Sequence, residues 1–149
     1  MRSQSPSHRK AMRYGAAYLQ NLFEEQALVF AGYPITLADT ERSPDLAVIA
    51  GPEDKYDTRH PEIKDIFLII EITCPNEEED LETQKAIYAA DGIAAYWVLD
   101  TDAQQLHVFN NPENGVYQSE NTYKTGFISL KTFPNIAIGI ERLIFQSPA

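Results

Sequence analysis

The stretch Ile66-Phe67-Leu68-Ile69-Ile70-Glu71-Ile72-Thr73 decides the fold. It is apolar on both faces except at Glu71 and Thr73, and Cys74-Pro75 closes it. Such a run predicts a central strand covered on both sides, since a half-exposed strand would alternate with polar residues. Alternation sets Phe67, Ile69, Glu71 and Thr73 on one face. An ionised carboxylate buried in that strand costs several kcal/mol unless it is paired or bound to a cation.

Upstream, Ser43-Pro44-Asp45-Leu46-Ala47-Val48-Ile49 carries a second acid at a strand end. Its β-branched, apolar make-up predicts a strand over residues 45–49, closed by Gly51-Pro52. Downstream, Asn76 can cap a helix, with Glu79 completing a capping box. Acids in its first turn complement the helix dipole, and Gly92 suits its C-terminus. On that helix Asp80, Gln84 and Tyr88 share one line, and Lys85 lies on the adjacent strip beside Leu81 and Tyr88. Asp45, Glu71 and Lys85 thus bring two carboxylates and an amine from two strands and a helix, the parts needed to hold a divalent cation and activate a water.

The remaining pattern fills out one sheet with helices. Residues 8–26 read as an amphipathic helix, with Met12, Ala16, Leu19 and Phe23 at helical spacing. Residues 28–30 and 35–37 are short extended pieces, and the polar segment 53–65 reads as an exposed loop with a helical turn. A buried strand over 93–99 contains Tyr96-Trp97-Val98, and a hairpin over 101–104 leads into 106–109. Asn110-Asn111-Pro112-Glu113-Asn114-Gly115 reads as a turn. Strands follow over 116–123 and 127–130, then the alternating Ile136, Ile138 and Ile140, and a terminal helical turn over 141–145. The class is α/β (α+β), a central mixed β-sheet flanked by helices. At 149 residues and 44% hydrophobic content the chain suits a single domain, with residues 1–7 as a tail.

Charge and cysteine content narrow the function. The net charge is −10, from 12 basic and 22 acidic side chains. Arg2, Arg9, Lys10 and Arg13 precede Tyr14, leaving eight bases against 22 acids beyond it. Duplex DNA binding draws on phosphate contacts with Lys and Arg, so this balance opposes tight non-specific binding. The cluster Arg9, Lys10 and Arg13 is the one basic patch suited to phosphate. A metal site, by contrast, needs negative ligands. The polar N-terminus lacks the apolar core of an export signal, no run is long enough to cross a bilayer, and the lone Cys74 fits a reducing cytoplasm.

Other motifs have plainer readings. Cys74 beside Pro75 reads as a small buried side chain, because His8, His60 and His107 offer no cysteine-hydrolase context. The three histidines lack metal-ligand spacing, and there is no glycine-rich phosphate loop. Tyr96, Trp97 and Tyr88 read as core. A helical lysine such as Lys85 is ordinarily a surface group, and Asp80 is equally a first-turn acid.

The ordered series Pro44-Asp45-Leu46-Ala47-Val48, Ile69-Ile70-Glu71-Ile72, Asp80, Lys85-Ala86-Ile87-Tyr88 and Gly92 to Asp100 resembles the PD-(D/E)XK nuclease superfamily. More narrowly, it looks like the Uma-two family of restriction-endonuclease-like proteins, over roughly residues 8–145. The resemblance implies a restriction-endonuclease-like core and a Mg²⁺ site, with Mn²⁺ as substitute, formed by Asp45, Glu71 and the backbone carbonyl of Ile72. The superfamily places a lysine two residues after the acid, where this chain has Thr73; the resemblance assigns that role to Lys85. Asp80 and Gln84 would assist from the helix, and Gln20 or Glu24 from the first helix. The expected activity is metal-dependent endonucleolytic hydrolysis of DNA, by a chain that pairs as a homodimer. The alternatives are a nuclease-fold binding or assembly module without activity, or a hydrolase of a smaller phosphorylated substrate.

Overall fold

A computed structural model describes residues 5–74 and 80–145. Helix α1 (Pro6–Phe23) precedes β1 (Leu28–Ala31), the short strands β2 (Ile35–Thr36) and β3 (Glu41–Arg42), and β4 (Leu46–Ile49). Then come β5 (Ile66–Thr73), α2 (Leu81–Ala90), β6 (Ala95–Asp100), β7 (Gln105–Glu113) and β8 (Val116–Tyr123). The chain closes with β9 (Phe127–Leu130), β10 (Phe133–Gly139) and α3 (Ile140–Phe145).

Six strands form the main sheet in the order β1-β4-β5-β6-β7-β8. The β5–β6 pair is parallel and is joined through α2, while the other neighbours are antiparallel. The sheet is therefore mixed, and β5 is interior to it as its apolar run predicts. One face packs Leu46, Val48, Leu68, Ile70, Ile72, Trp97 and Leu99 beneath α1, α3 and the β9–β10 hairpin. The other packs Ala47, Ile49, Ile69, Tyr96 and Val98 beneath Tyr88 and Ala89 of α2. Among the described residues no helix is long and apolar enough to cross a membrane.

Several features differ from the sequence reading, and the following differ for a local reason. Helix α1 begins at Pro6, because Ser5 caps it by accepting the His8 N–H (3.1 Å) and proline is suited to the first turn. It ends at Phe23, three residues early, where Glu24 takes a positive φ of 53°. Phe67 does not share the face of Glu71. The β4–β5 register steps from Val48↔Leu68 to Ile49↔Ile66, leaving Phe67 as a bulge residue that packs against Phe133 on the α1 side. The predicted turn over 110–115 is mostly strand: pairing continues to Glu113↔Val116, and only Asn114-Gly115 turns, both at positive φ.

The Asn76–Glu79 capping box lies outside the described residues. In the described chain Asp80 caps α2, accepting from the Thr83 N–H (3.1 Å) and hydroxyl (2.7 Å). Gly92 follows the helix at a φ of 78°, the left-handed conformation that glycine adopts without strain. The polar segment between β4 and β5 holds two 3-10 turns, Glu53–Tyr56 and Ile63–Asp65.

Candidate active site

The register that pairs Leu46 with Ile70 places Asp45, just before β4, opposite Glu71 in β5. Both are buried, at 1% and 4% exposure. They interlock through the backbone. The Asp45 N–H donates to Glu71 Oε1 (3.0 Å), and the Ile72 N–H donates to Asp45 Oδ2 (2.7 Å). In a strand the N–H and C=O of one residue point to the same side, so the Ile72 carbonyl faces the Asp45 side as well. β4 makes this possible by starting only at Leu46, which leaves the β5 backbone beyond Ile70 open to side-chain acceptors.

Two further side chains hold the carboxylates. The Tyr88 hydroxyl donates to Glu71 Oε2 at 3.3 Å. Burial raises the Tyr88 pKa, the Glu71 charge and hydrogen bond raise it further, and the nearby Arg42 guanidinium partly opposes them. The phenol is therefore a proton donor across the physiological range. His8, fully buried in the first turn of α1, hydrogen-bonds Asp45 Oδ1 through Nε2 at 2.9 Å. Tyr88 comes from the line that also carries Gln84, whose buried Oε1 has no hydrogen-bond partner among the described residues. Arg42 in β3 is half-buried, and among the described residues it makes no ion pair.

Several predicted residues sit elsewhere. The Lys85 ammonium lies 4.9 Å over the Phe109 ring and pairs with Glu82 at 3.3 Å, so its contacts are with β7 and its own helix and not with Asp45 or Glu71. Gln20 ties off the α1–β1 turn: its Nε2 donates to the Glu24 and Ala27 carbonyls, and its Oε1 accepts from the Val29 N–H. Glu24 is the exposed C-cap of α1. Both lie toward the end of α1 opposite His8; twelve residues of helix put Gln20 about 18 Å from it. Asp80 is committed to Thr83, whose hydrogen bonds lower its pKa. Arg9, Lys10 and Arg13 are exposed on the first turns of α1, with Lys10 over Tyr14.

The histidines divide. His60 is exposed near Glu41 and His107 pairs with Thr122, whereas His8 reaches Asp45. His8 was missed because a lone histidine has no spacing to read. Its signal was the buried stripe His8, Ala11, Gly15, Leu19, Phe23, on which it is the sole polar member. Arg42 carried no signal beyond lying three residues before Asp45. Cys74 is buried and forms no disulfide, and Trp97 and Tyr96 belong to the two core layers, as read from the sequence.

A third buried acid shows a different environment. Asp65 accepts from Arg59 at 2.8 Å and from the Glu62 N–H at 2.9 Å, and lies 3.3 Å from the Lys55 ammonium. Burial opposes its charge, yet these partners hold its pKa down to about 2.

A mixed six-stranded sheet between helical layers, with two acids facing each other at the ends of adjacent strands, defines a restriction-endonuclease-like fold. The chain belongs to the Uma2 family, described as "Putative restriction endonuclease", whose profile matches residues 1–141. It is similar in structure to a protein from Anabaena variabilis titled a "putative nuclease belonging to DUF820". That match has a TM-score of 0.74 and 16% identity, and covers 95% of this chain and 82% of the other. No curated protein matches the chain.

Proposed function

We propose that the chain is a divalent-metal-dependent nuclease whose metal is held by Asp45, Glu71 and the Ile72 carbonyl. The observation carrying this reading is the reciprocal lock between Asp45 and Glu71, which fixes two buried carboxylates in one orientation. The donor set fits a hard cation. Carboxylate and carbonyl oxygens are hard acceptors, each oxygen carrying two lone pairs. Among the described residues no group of three or more His, Cys, Asp or Glu is poised for a metal. The ligand set is thus two carboxylates and a carbonyl, completed by water. That suits Mg²⁺, which keeps several waters, with Mn²⁺ as a substitute.

When bound, the ion supplies charge neutralisation at the phosphate and a water of lowered pKa. The chain supplies the orientation. Tyr88 steadies Glu71, His8 steadies Asp45, and the unpartnered Gln84 Oε1 is an acceptor suited to a water on the same helical line. Arg42, whose field reaches Tyr88, is a candidate to face the phosphate. Lys85 would have to leave Phe109 to take part. The outward-facing Arg9, Lys10 and Arg13 remain the candidate phosphate contacts of α1. A homodimer would bring two such sites together.

The test is Mg²⁺- or Mn²⁺-dependent cleavage of DNA by the wild type and by Glu71→Gln, together with metal calorimetry. Metal binding and cleavage that both vanish in Glu71→Gln support the reading; cleavage at the wild-type rate in the variant ends it. The net charge of −10 favours a second reading, a hydrolase of small phosphodiesters. Turnover of a small phosphodiester in preference to any oligonucleotide would select it.

A further inference from the structure

The structure assigns a nucleobase-binding cleft to the aromatic cluster at the sheet edge beside Asp45, and with it an unpaired strand as the nucleic acid taken. The inference rests on the reading of Asp45 and Glu71 as the hydrolytic pair and names the substrate class of that site.

The cleft, of about 290 Å³, is lined by Phe30, Tyr33, Tyr56 and Arg59, with the carboxylates of Glu53 and Asp57 also at its border. Its rings form a graded series. Phe30 lies 5.6 Å from Tyr56 and 5.0 Å from Tyr33, and Tyr33 is 59% exposed. Arg59 lays its guanidinium 5.4 Å over Tyr56 while Asp65 pins the same group at 2.8 Å. That fixes the guanidinium as a flat wall. An exposed aromatic with a preformed aromatic and guanidinium neighbourhood is how sequence-tolerant base stacking is built.

The position ties the cleft to the carboxylates. Phe30 pairs with Ala47 and Ala47 with Ile69, two residues before Glu71 and on its face. Gly32, next to Tyr33, donates its N–H to the Asp45 carbonyl at 3.0 Å. One strand spacing plus one residue puts the Tyr33 Cα within roughly 9 Å of that of Asp45. A phosphate at the acid pair would therefore carry its neighbouring base to Tyr33.

The occupant must be unpaired, because bases in a duplex are stacked against one another and unavailable to a side-chain ring. The charge balance agrees. Duplex affinity comes from neutralising phosphates with Lys and Arg, which this chain, at −10, is short of. Stacking requires no net positive charge.

The test is fluorescence anisotropy of a labelled mixed-sequence DNA oligonucleotide, single-stranded and as a duplex, without added metal so that cleavage plays no part. The wild type is expected to bind the single strand at least about tenfold more tightly than the duplex. Tyr33→Ala and Tyr33→Leu should each lose about tenfold of single-strand affinity, and Tyr33→Trp should retain it. Leucine keeps the apolar bulk without the ring, and thermal melts check folding at this exposed position. Equal affinity for both forms, no binding by the wild type, or no loss in Tyr33→Leu overturns the cleft. Single-strand binding that depends on the ring, without Mg²⁺-dependent cleavage, keeps the cleft and removes the nuclease reading. Cleavage with ring-independent binding does the reverse.

Discussion

Two clusters bury acids at opposite ends of β5, and they differ in what faces the charge. Asp65 precedes the strand and meets Arg59 and Lys55, whose positive charges answer its own. Asp45 and Glu71 lie at the strand's far end, where the contacts described above come from an imidazole, a hydroxyl and two peptide N–H groups. Cations cancel a carboxylate, whereas peptide N–H and hydroxyl donors orient it. Burial alone therefore does not mark a working acid. The same low exposure serves a structural clamp in one case and an arrangement suited to a cation in the other.

The contrast breaks most visibly at Glu71. Glu71→Gln is expected to lower metal-dependent cleavage by more than about a hundredfold, beyond what loss of a merely supporting group costs. Its thermal unfolding midpoint should stay near that of the wild type, because glutamine can still accept the Asp45 N–H.

Asp65→Asn should do the opposite, leaving metal binding intact and lowering stability near neutral pH. The native pKa of about 2 against an unfolded value near 3.8 corresponds to about 2 kcal/mol. The sign follows from the depressed pKa. The stabilisation is fully present above about pH 4 and is lost as pH falls through about 2. Chemical denaturation between pH 7 and pH 2 should show the gap between wild type and Asp65→Asn closing on the acid side. A gap that widened there would refute the clamp.

Tyr88→Phe removes the longer of the two Glu71 contacts described above, at 3.3 Å. About a tenfold loss of metal affinity by calorimetry, the low end for an orienting partner, is expected with little change in stability. The smallest effect is at Lys85. Since its ammonium sits on Phe109 and Glu82, Lys85→Ala should leave metal affinity within about twofold of the wild type. A tenfold change would show that the amine reaches the acids in solution.

What was legible in the chain follows from how local each signal is. The strand over 66–73, the helix ending before Gly92 and the strands over 116–123 and 127–130 are written in periodicity and turn chemistry, which act within a few residues. So are the positions of Asp45 and Glu71, each a lone acid against an apolar strand. The Phe67 bulge, the run of β7 to Glu113 and the seating of Gln20 against Val29 needed the partner strands, because pairing register is a long-range property.

By itself the sequence determined the sheet-and-helix class, the central strand, the Glu71 that interrupts its apolar pattern and the Asp45 that precedes a second apolar strand, since all of these are consequences of side-chain type at short spacing. Only the tertiary structure decided which groups meet those acids. It brought His8 from 37 residues away to Asp45, put Tyr88 instead of Lys85 beside Glu71, and joined the Gly32-Tyr33 edge to Asp45. Contacts of that kind depend on how layers stack and where β4 stops, which the core as a whole decides.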